Sequence, residues 1–234
     1  MRKLPFLVLP LLLAAACAKK SQPPLVIADA SGTVRYQTGP DGLATRLSSG
    51  SELADGGRIT TDQDGRAAIV FPDGSRFELG PRSDFTVERA AGEEPSFKLA
   101  LGRLKASIVK ASSRRLYVRT PRAVACVRGT EFNVSVRKSG RTTIDLFTGQ
   151  LSVSDDKGKS AELSAGQRLV ADAEGLLEAA PIPTDIRQEA PLPGDDLQDQ
   201  AQAILPKHPK RGAPMRIPDA DLEVDGDKPL EAPR

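Results

Sequence analysis

Between Leu25 and Val170 no stretch of useful length holds a helical period, while strand and turn signals recur at short intervals. Ala67, Ile69 and Phe71 alternate toward one side, Pro72-Asp73-Gly74-Ser75 reverses the chain, and Phe77 and Leu79 resume the alternation. A period of two sends successive side chains to opposite faces of an extended strand, so one face can be buried. The reversal has a mechanism. Proline presets its φ and glycine accepts a positive one, which puts Asp73 and Gly74 at the tip of a hairpin. Gly32 to Tyr36 is expected as a first strand, and Phe85 with Val87, Phe97 with Leu99, Leu104 through Ile108, and Leu116 with Val118 as others. Thr143 to Phe147 and Leu151 to Val153 continue the rhythm, with turns such as Thr38 to Gly42, Leu101-Gly102-Arg103 and Asp155 to Gly158 between strands. Short strands at such spacing indicate an all-β domain over residues 25–175. Connections this short leave little room for long Greek-key crossings. The expected architecture is an irregular β-solenoid of two packed sheets, with a jelly-roll-like sandwich as the alternative.

Composition sets the character of the core. Aromatic residues make up 4% of the chain and tryptophan is absent, so a large core filled with rings is excluded and small branched residues must fill it. Lys plus Arg number 33 against 31 Asp plus Glu, a formal charge of +2. That balance gives no basic stripe interleaved with stacking aromatics, and nucleic acid is excluded as a partner class.

The densest run of distinctive residues is Ala123 to Val136. Phe132, Val134 and Val136 alternate with polar residues, and Gly129 interrupts the pattern. A glycine inside a strand pattern suggests a bulge. A one-residue bulge there would rephase the strand and bring Arg128 and Glu131 onto one face as an ion pair.

The ends read differently. Met1-Arg2-Lys3 followed by the apolar run Leu4 to Ala16 has the form of a signal peptide over residues 1–16. That run falls short of the ~20 residues a spanning helix needs, and no later segment comes close. Residues 17–24 form a polar tether. Prolines concentrate beyond Ala180, so residues 176–234 are expected to be a disordered tail that buries too little surface to offset its conformational entropy. Within it, Asp195-Asp196 could cap a short helix carrying Leu197, Ala201 and Ile204 on one face. Asp219, Asp221, Glu223, Asp225 and Asp227 alternate in sequence, a pattern for which a solvated end, weak cation binding and a strand added to a partner's sheet are open readings.

Several ordered motifs resemble those of the FecR-like domain of bacterial envelope proteins. Thr120-Pro121 followed by Val127-Arg128-Gly129-Thr130-Glu131-Phe132 resembles its most distinctive segment. Gly50 to Thr60 is similar to a "G-x-x-L-x-x-G-D-x-I-x-T" pattern, with Gly57 where an acidic residue is usual. Ala67 to Ser75 with Leu79-Gly80-Pro81-Arg82-Ser83 resembles "A-x-L-x-F-x-D-G-S … L-G-P-x-S", and Phe147 to Val153 and Leu163 to Gln167 agree with later patterns. The resemblance runs from about Val26 to Val170 and favours the solenoid. It implies a periplasmic domain. In the family's iron-signalling members that domain relays occupancy of an outer-membrane receptor to a sigma factor, although the receptor-binding region that follows it there has no evident counterpart in this tail. Ala14-Ala15-Ala16-Cys17 resembles a lipobox, which implies lipidation at Cys17; Ala18, with no Asp at that position, implies sorting to the outer membrane. The alternative is ordinary cleavage after Ala16 and a soluble periplasmic protein.

Catalytic chemistry finds little support. Cys126 has no base near it in sequence, the sole histidine being His208 in the tail, and it reads as a small buried hydrophobe. Asp62-Gln63-Asp64-Gly65 lacks the later ligands of a calcium loop, and adjacent Asp155 and Asp156 seldom face one another across a substrate. The expectation is a non-catalytic lipoprotein with no metal and no cofactor. Its role is to bind or scaffold an envelope protein or cell-wall polymer, with the membrane reached through its lipid anchor. The alternative is a component of envelope signalling working through a separate transmembrane partner.

Overall fold

A computed structural model describes residues 24–110, 114–176 and 178–183. The strands in chain order are β1 (Leu25–Ser31), β2 (Val34–Thr38), β3 (Thr45–Arg46), β4 (Glu52–Leu53), β5 (Gly57–Thr61), β6 (Arg66–Val70), β7 (Arg76–Leu79), β8 (Asp84–Arg89) and β9 (Ser96–Ser107). They continue as β10 (Leu116–Arg119), β11 (Ala123–Val127), β12 (Glu131–Val136), β13 (Thr142–Thr148), β14 (Gln150–Asp155), β15 (Ser160–Ser164), β16 (Gln167–Asp172), β17 (Gly175–Leu176) and β18 (Ala180–Pro181). No helix occurs among the described residues. The chain is all-β.

The strands fall into two layers. Sheet A runs β4-β1-β6-β7-β9-β12-β13-β16, with β17 and β18 on the far side of β16, and all its pairings are antiparallel. Sheet B runs β3-β2-β5-β8-β9-β10-β11-β14-β15, antiparallel except for β9 with β10. From β5 onward the chain visits the sheets alternately and adds each new strand further along, so strand order in either sheet follows chain order. Stacked progression of this kind is the coiling expected of an irregular solenoid.

One strand belongs to both layers. The Ser96–Leu101 half of β9 pairs with β8 in sheet B, and its Gly102–Ser107 half with β12 in sheet A. The sequence pattern suggested two strands separated at Leu101-Gly102-Arg103; instead the strand bends there without breaking. Gly102 sits at φ +99, and a Cβ on it would lie 2.7 Å from Ser83 Cβ and closer still to Ser83 Oγ and Cα. Only a residue without a side chain lets β9 cross so near the β7–β8 turn.

The inward faces carry the apolar half of each alternation. Ile59, Phe85, Val87, Leu99, Val118 and Val153 of sheet B meet Ile27, Ile69, Phe77, Leu104, Phe132 and Leu146 of sheet A, all at most 1% exposed. Aliphatic side chains dominate this core, yet four of the few phenylalanines gather in one place. Phe77 of sheet A stands 5.1 Å from Phe97 and 5.9 Å from Phe85 of sheet B, edge to face, with Phe71 4.9 Å away. Such pairs add about 0.5–1.5 kcal/mol each beyond the area they bury, so the rings fasten the two layers at one point.

The first strand is Leu25–Ser31, not Gly32 to Tyr36. Leu25, Val26 and Ile27 are all buried, and the segment around Gly50 and Ser51 hydrogen-bonds Ile27 along the edge of β1. A strand covered on both faces has no period of two to read. At the other end, strand pairing continues past Gly175 to Ala180–Pro181, and Ile182 is 3% exposed. The expected signal peptide, the tether with Cys17, and the part of the tail after Pro183 lie outside the described residues.

Candidate functional site

The distinctive residues of the sequence sit where the chain changes sheets. β11 belongs to sheet B and β12 to sheet A, so Arg128-Gly129-Thr130 is the crossing between them and not a bulge within one strand. Gly129 has φ +70, and a Cβ there would come 2.6 Å from Lys110 Cα. Thr130 is 1% exposed, and its carbonyl accepts the Ile108 N–H at 3.0 Å. Phe132 enters the core. The expected Arg128–Glu131 ion pair does not form. Arg128 is exposed and pairs with no carboxylate among the described residues, while Glu131 Oε2 accepts the Thr148 hydroxyl at 3.0 Å. The crossing, by turning the chain between layers, separates the two charges. A register shift does occur nearby, at Glu131/Phe132 against β13, just beyond the crossing where it was expected.

A second crossing ties β5, the β7–β8 turn and β9. Thr61 Oγ1 donates to Gly80 O at 2.8 Å and accepts the Ser83 N–H at 2.7 Å. Ser83 Oγ donates to Gly80 O at 2.8 Å and accepts the Arg103 N–H at 3.1 Å. The threonine that serves this junction is therefore Thr61, one residue beyond the Thr60 that ends the Gly50 pattern. Arg82, between these partners, has φ 54. In the β6–β7 hairpin, Asp73 accepts the Ser75 N–H at 2.9 Å and Gly74 N–H donates to Phe71 O at 3.0 Å.

The residues weighed for chemistry are dispersed. Cys126 is half-buried on the outer face of sheet B, opposite Tyr117 and Ser152, and not in the core. Its negative charge when ionised, followed by burial, pushes the Tyr117 phenol pKa up. Asp62 pairs with Arg35 at 2.8 Å, and Asp64 accepts the Thr33 N–H. Asp155 caps a turn, accepting N–H groups of Lys157 at 3.0 Å, Lys159 at 2.8 Å and Leu176 at 3.2 Å. Among the described residues no group of three or more His, Cys, Asp or Glu is placed to hold a metal ion.

What the structure does assemble is the outer face of sheet A. One cross-strand row runs Asp29, Ala68, Glu78, Lys105, Asn133, Asp145 and Arg168 over β1, β6, β7, β9, β12, β13 and β16. It lines a groove of about 800 Å³ together with Arg66, Arg76, Arg103 and Arg137. Six cations thus face three carboxylates. Arg76 pairs with Glu78 at 2.9 Å, and Arg168 clamps Asp145 through both guanidinium nitrogens, one at 2.9 Å. Asp145 is only 6% exposed, so this bidentate pair gives the face a fixed polar floor. Arg66, Arg103, Lys105 and Arg137 make no ion pair among the described residues. Period-two polarity was legible in each strand, but which strands lie side by side was not, and the row exists only through that pairing.

A comparison with curated proteins found no match. Two crystal structures of a protein provisionally described as an anti-sigma factor, from Parabacteroides distasonis ATCC 8503, share 16% identity with this chain at a TM-score of 0.47. The alignment covers 53% of this chain and 59% of theirs. Residues 57–152, from β5 to the middle of β14, match the FecR protein family, and the chain accordingly carries a FecR domain over that stretch.

Proposed function

We propose that this protein is a non-enzymatic component of envelope signalling, in which the FecR domain binds a partner on the periplasmic side and a separate membrane-spanning chain carries the signal inward. The FecR domain at residues 57–152 is the observation that carries this reading. The apolar run Leu4 to Ala16 bears on the division of labour, being shorter than the ~20 residues that would span a bilayer. Cys17 anchors the domain by its acyl chains, each buried CH₂ contributing about 0.8 kcal/mol, at the periplasmic side of the outer membrane. The outer face of sheet A receives the partner. It is broad and concave, its polar groups are held by paired backbone, and its surplus cations suit an acidic protein surface.

The test is affinity capture of the intact protein from detergent-solubilised envelopes, beside a form bearing Arg103→Ser and Lys105→Gln. Recovery of a sigma-regulator system with the unmodified protein and its depletion with the variant is expected. Recovery of wall fragments or assembly proteins alone would instead make the domain a scaffolding module. Incorporation of an alkyne-bearing fatty acid, lost in Cys17→Ser, tests the anchor; equal labelling of both forms refutes it.

A further inference from the structure

The outer face of sheet A holds more positive charge than the described domain neutralises. Arg103 and Lys105 alternate along β9, Arg66 lies two strands away from Arg103 across Gly80, and Arg137 follows directly after β12. Gly80 offers no side chain between Arg66 and Arg103, and a Cβ there would stand 3.3 Å from Arg103 Cβ.

One stretch of the same chain has the complementary chemistry. Asp219, Asp221, Glu223, Asp225 and Asp227 occupy every second position, with Ala220, Leu222, Val224 and Gly226 between them and no cation in the run. In extended backbone alternate residues project to one side ~6.6–6.8 Å apart, the same repeat that separates Arg103 from Lys105. The described chain also ends beside the groove: Ala180 pairs with Arg168, Pro181 with Gln167, and the last described residue is Pro183. A random coil as long as the 35 residues between Pro183 and Asp219 has a root-mean-square reach of ~30–35 Å. Seven strands ~4.8 Å apart span a similar width.

We propose that residues 219–227 lie extended across this groove with their carboxylates against Arg66, Arg103, Lys105 and Arg137, so that the chain's own acidic segment occupies the face. Exposed ion pairs are individually weak. Tethering makes the contact intramolecular at an effective concentration on the order of millimolar, which lets weak pairs hold. An acidic partner for this face would compete with this segment. The docking itself does not depend on the signalling role.

Zero-length carbodiimide cross-linking of the dilute, full-length protein, followed by peptide mass spectrometry, tests this. Lys105 is the amine within the groove, and Lys98, exposed on sheet B, is the control. Amide links from Lys105 to residues 219–227 are expected, in clear excess over links from Lys98. Their yield should fall roughly threefold or more at 0.5 M NaCl, where the screening length shortens to a few ångströms. It should fall likewise in the triple variant Arg66→Ser, Arg103→Ser, Arg137→Ser, which leaves every cross-linkable group in place. Absence of these links, equal yields from Lys98, insensitivity to salt, or links found only between isotopically distinct copies would each overturn the proposal. The salt series needs no variant, so a folding defect in the triple substitution leaves the test intact.

Discussion

Replacing Gly102 by alanine probes the point at which a single strand joins both sheets. Two costs add there. Alanine at φ +99 occupies backbone space that L side chains rarely adopt, at ~1–3 kcal/mol. Its methyl would stand 2.7 Å from Ser83 Cβ and nearer to Ser83 Cα, which is backbone and cannot rotate away. Moving Ser83 strains its hydroxyl bonds to Gly80 O and Arg103 N–H, at about 1 kcal/mol each and more where a buried group is left unmet. The sum is roughly 3–5 kcal/mol, a large part of the ~5–15 kcal/mol that holds a domain folded. At ~2–4 °C per kcal/mol for a domain of this size, the thermal midpoint should fall by about 10 °C. Gly158→Ala supplies the comparison, since Gly158 has φ +84 but nothing within 4 Å of where a methyl would stand. It carries the backbone cost alone and should lose about 1–3 kcal/mol. Differential scanning calorimetry of the two variants separates the terms. If Gly102→Ala melts within about 2 °C of Gly158→Ala, the close approach of Ser83 contributes nothing and the argument for the crossing fails.

Gly129→Val should lower the midpoint clearly by the same reasoning, because the added Cβ meets Lys110 Cα and Cβ at 2.6 and 2.8 Å; an unchanged melt with loss only of partner binding would make the Arg128 to Phe132 segment a recognition surface. Phe77→Ala empties the centre of the ring cluster between the sheets and should cost about 3–5 kcal/mol in denaturant titration; a cost near ~1 kcal/mol would show that the four rings do not fasten the layers. Burial alone would raise the Asp155 pKa, yet backbone N–H bonds from Lys159, Leu176 and Lys157 hold it below its ordinary 3.8. A carboxyl depressed in the folded state stabilises above its unfolded pKa, and that contribution disappears as pH falls through the folded value. The midpoint gap between the unmodified protein and Asp155→Asn should therefore be full near pH 7 and shrink below about pH 4; a gap that widens on acidification contradicts the capping role.

The class of the fold and most of its local punctuation could be read from neighbouring residues. Alternation through Ala67, Ile69 and Phe71, the Pro72 to Ser75 reversal, and Phe132, Val134 and Val136 all depend on a strand's period of two, which is written in adjacent positions. The motif residues that resemble a FecR-like domain were legible for the same reason, being local. Where both faces of a strand are covered, as at Leu25 to Ile27, the period vanishes and the strand is hidden from sequence. Gly102 and Gly129 could each be recognised as backbone exceptions. Whether the exception was a break, a bulge or a passage between layers depended on Ser83 and Lys110, which lie far from them in sequence. The candidate site came from the tertiary fold: Glu78, Lys105, Asn133, Asp145 and Arg168 belong to five separate strands and form one row only because the register of those strands aligns them. A register is set by long-range backbone pairing and by which side chains the core accepts, and neither is contained in any one stretch of chain.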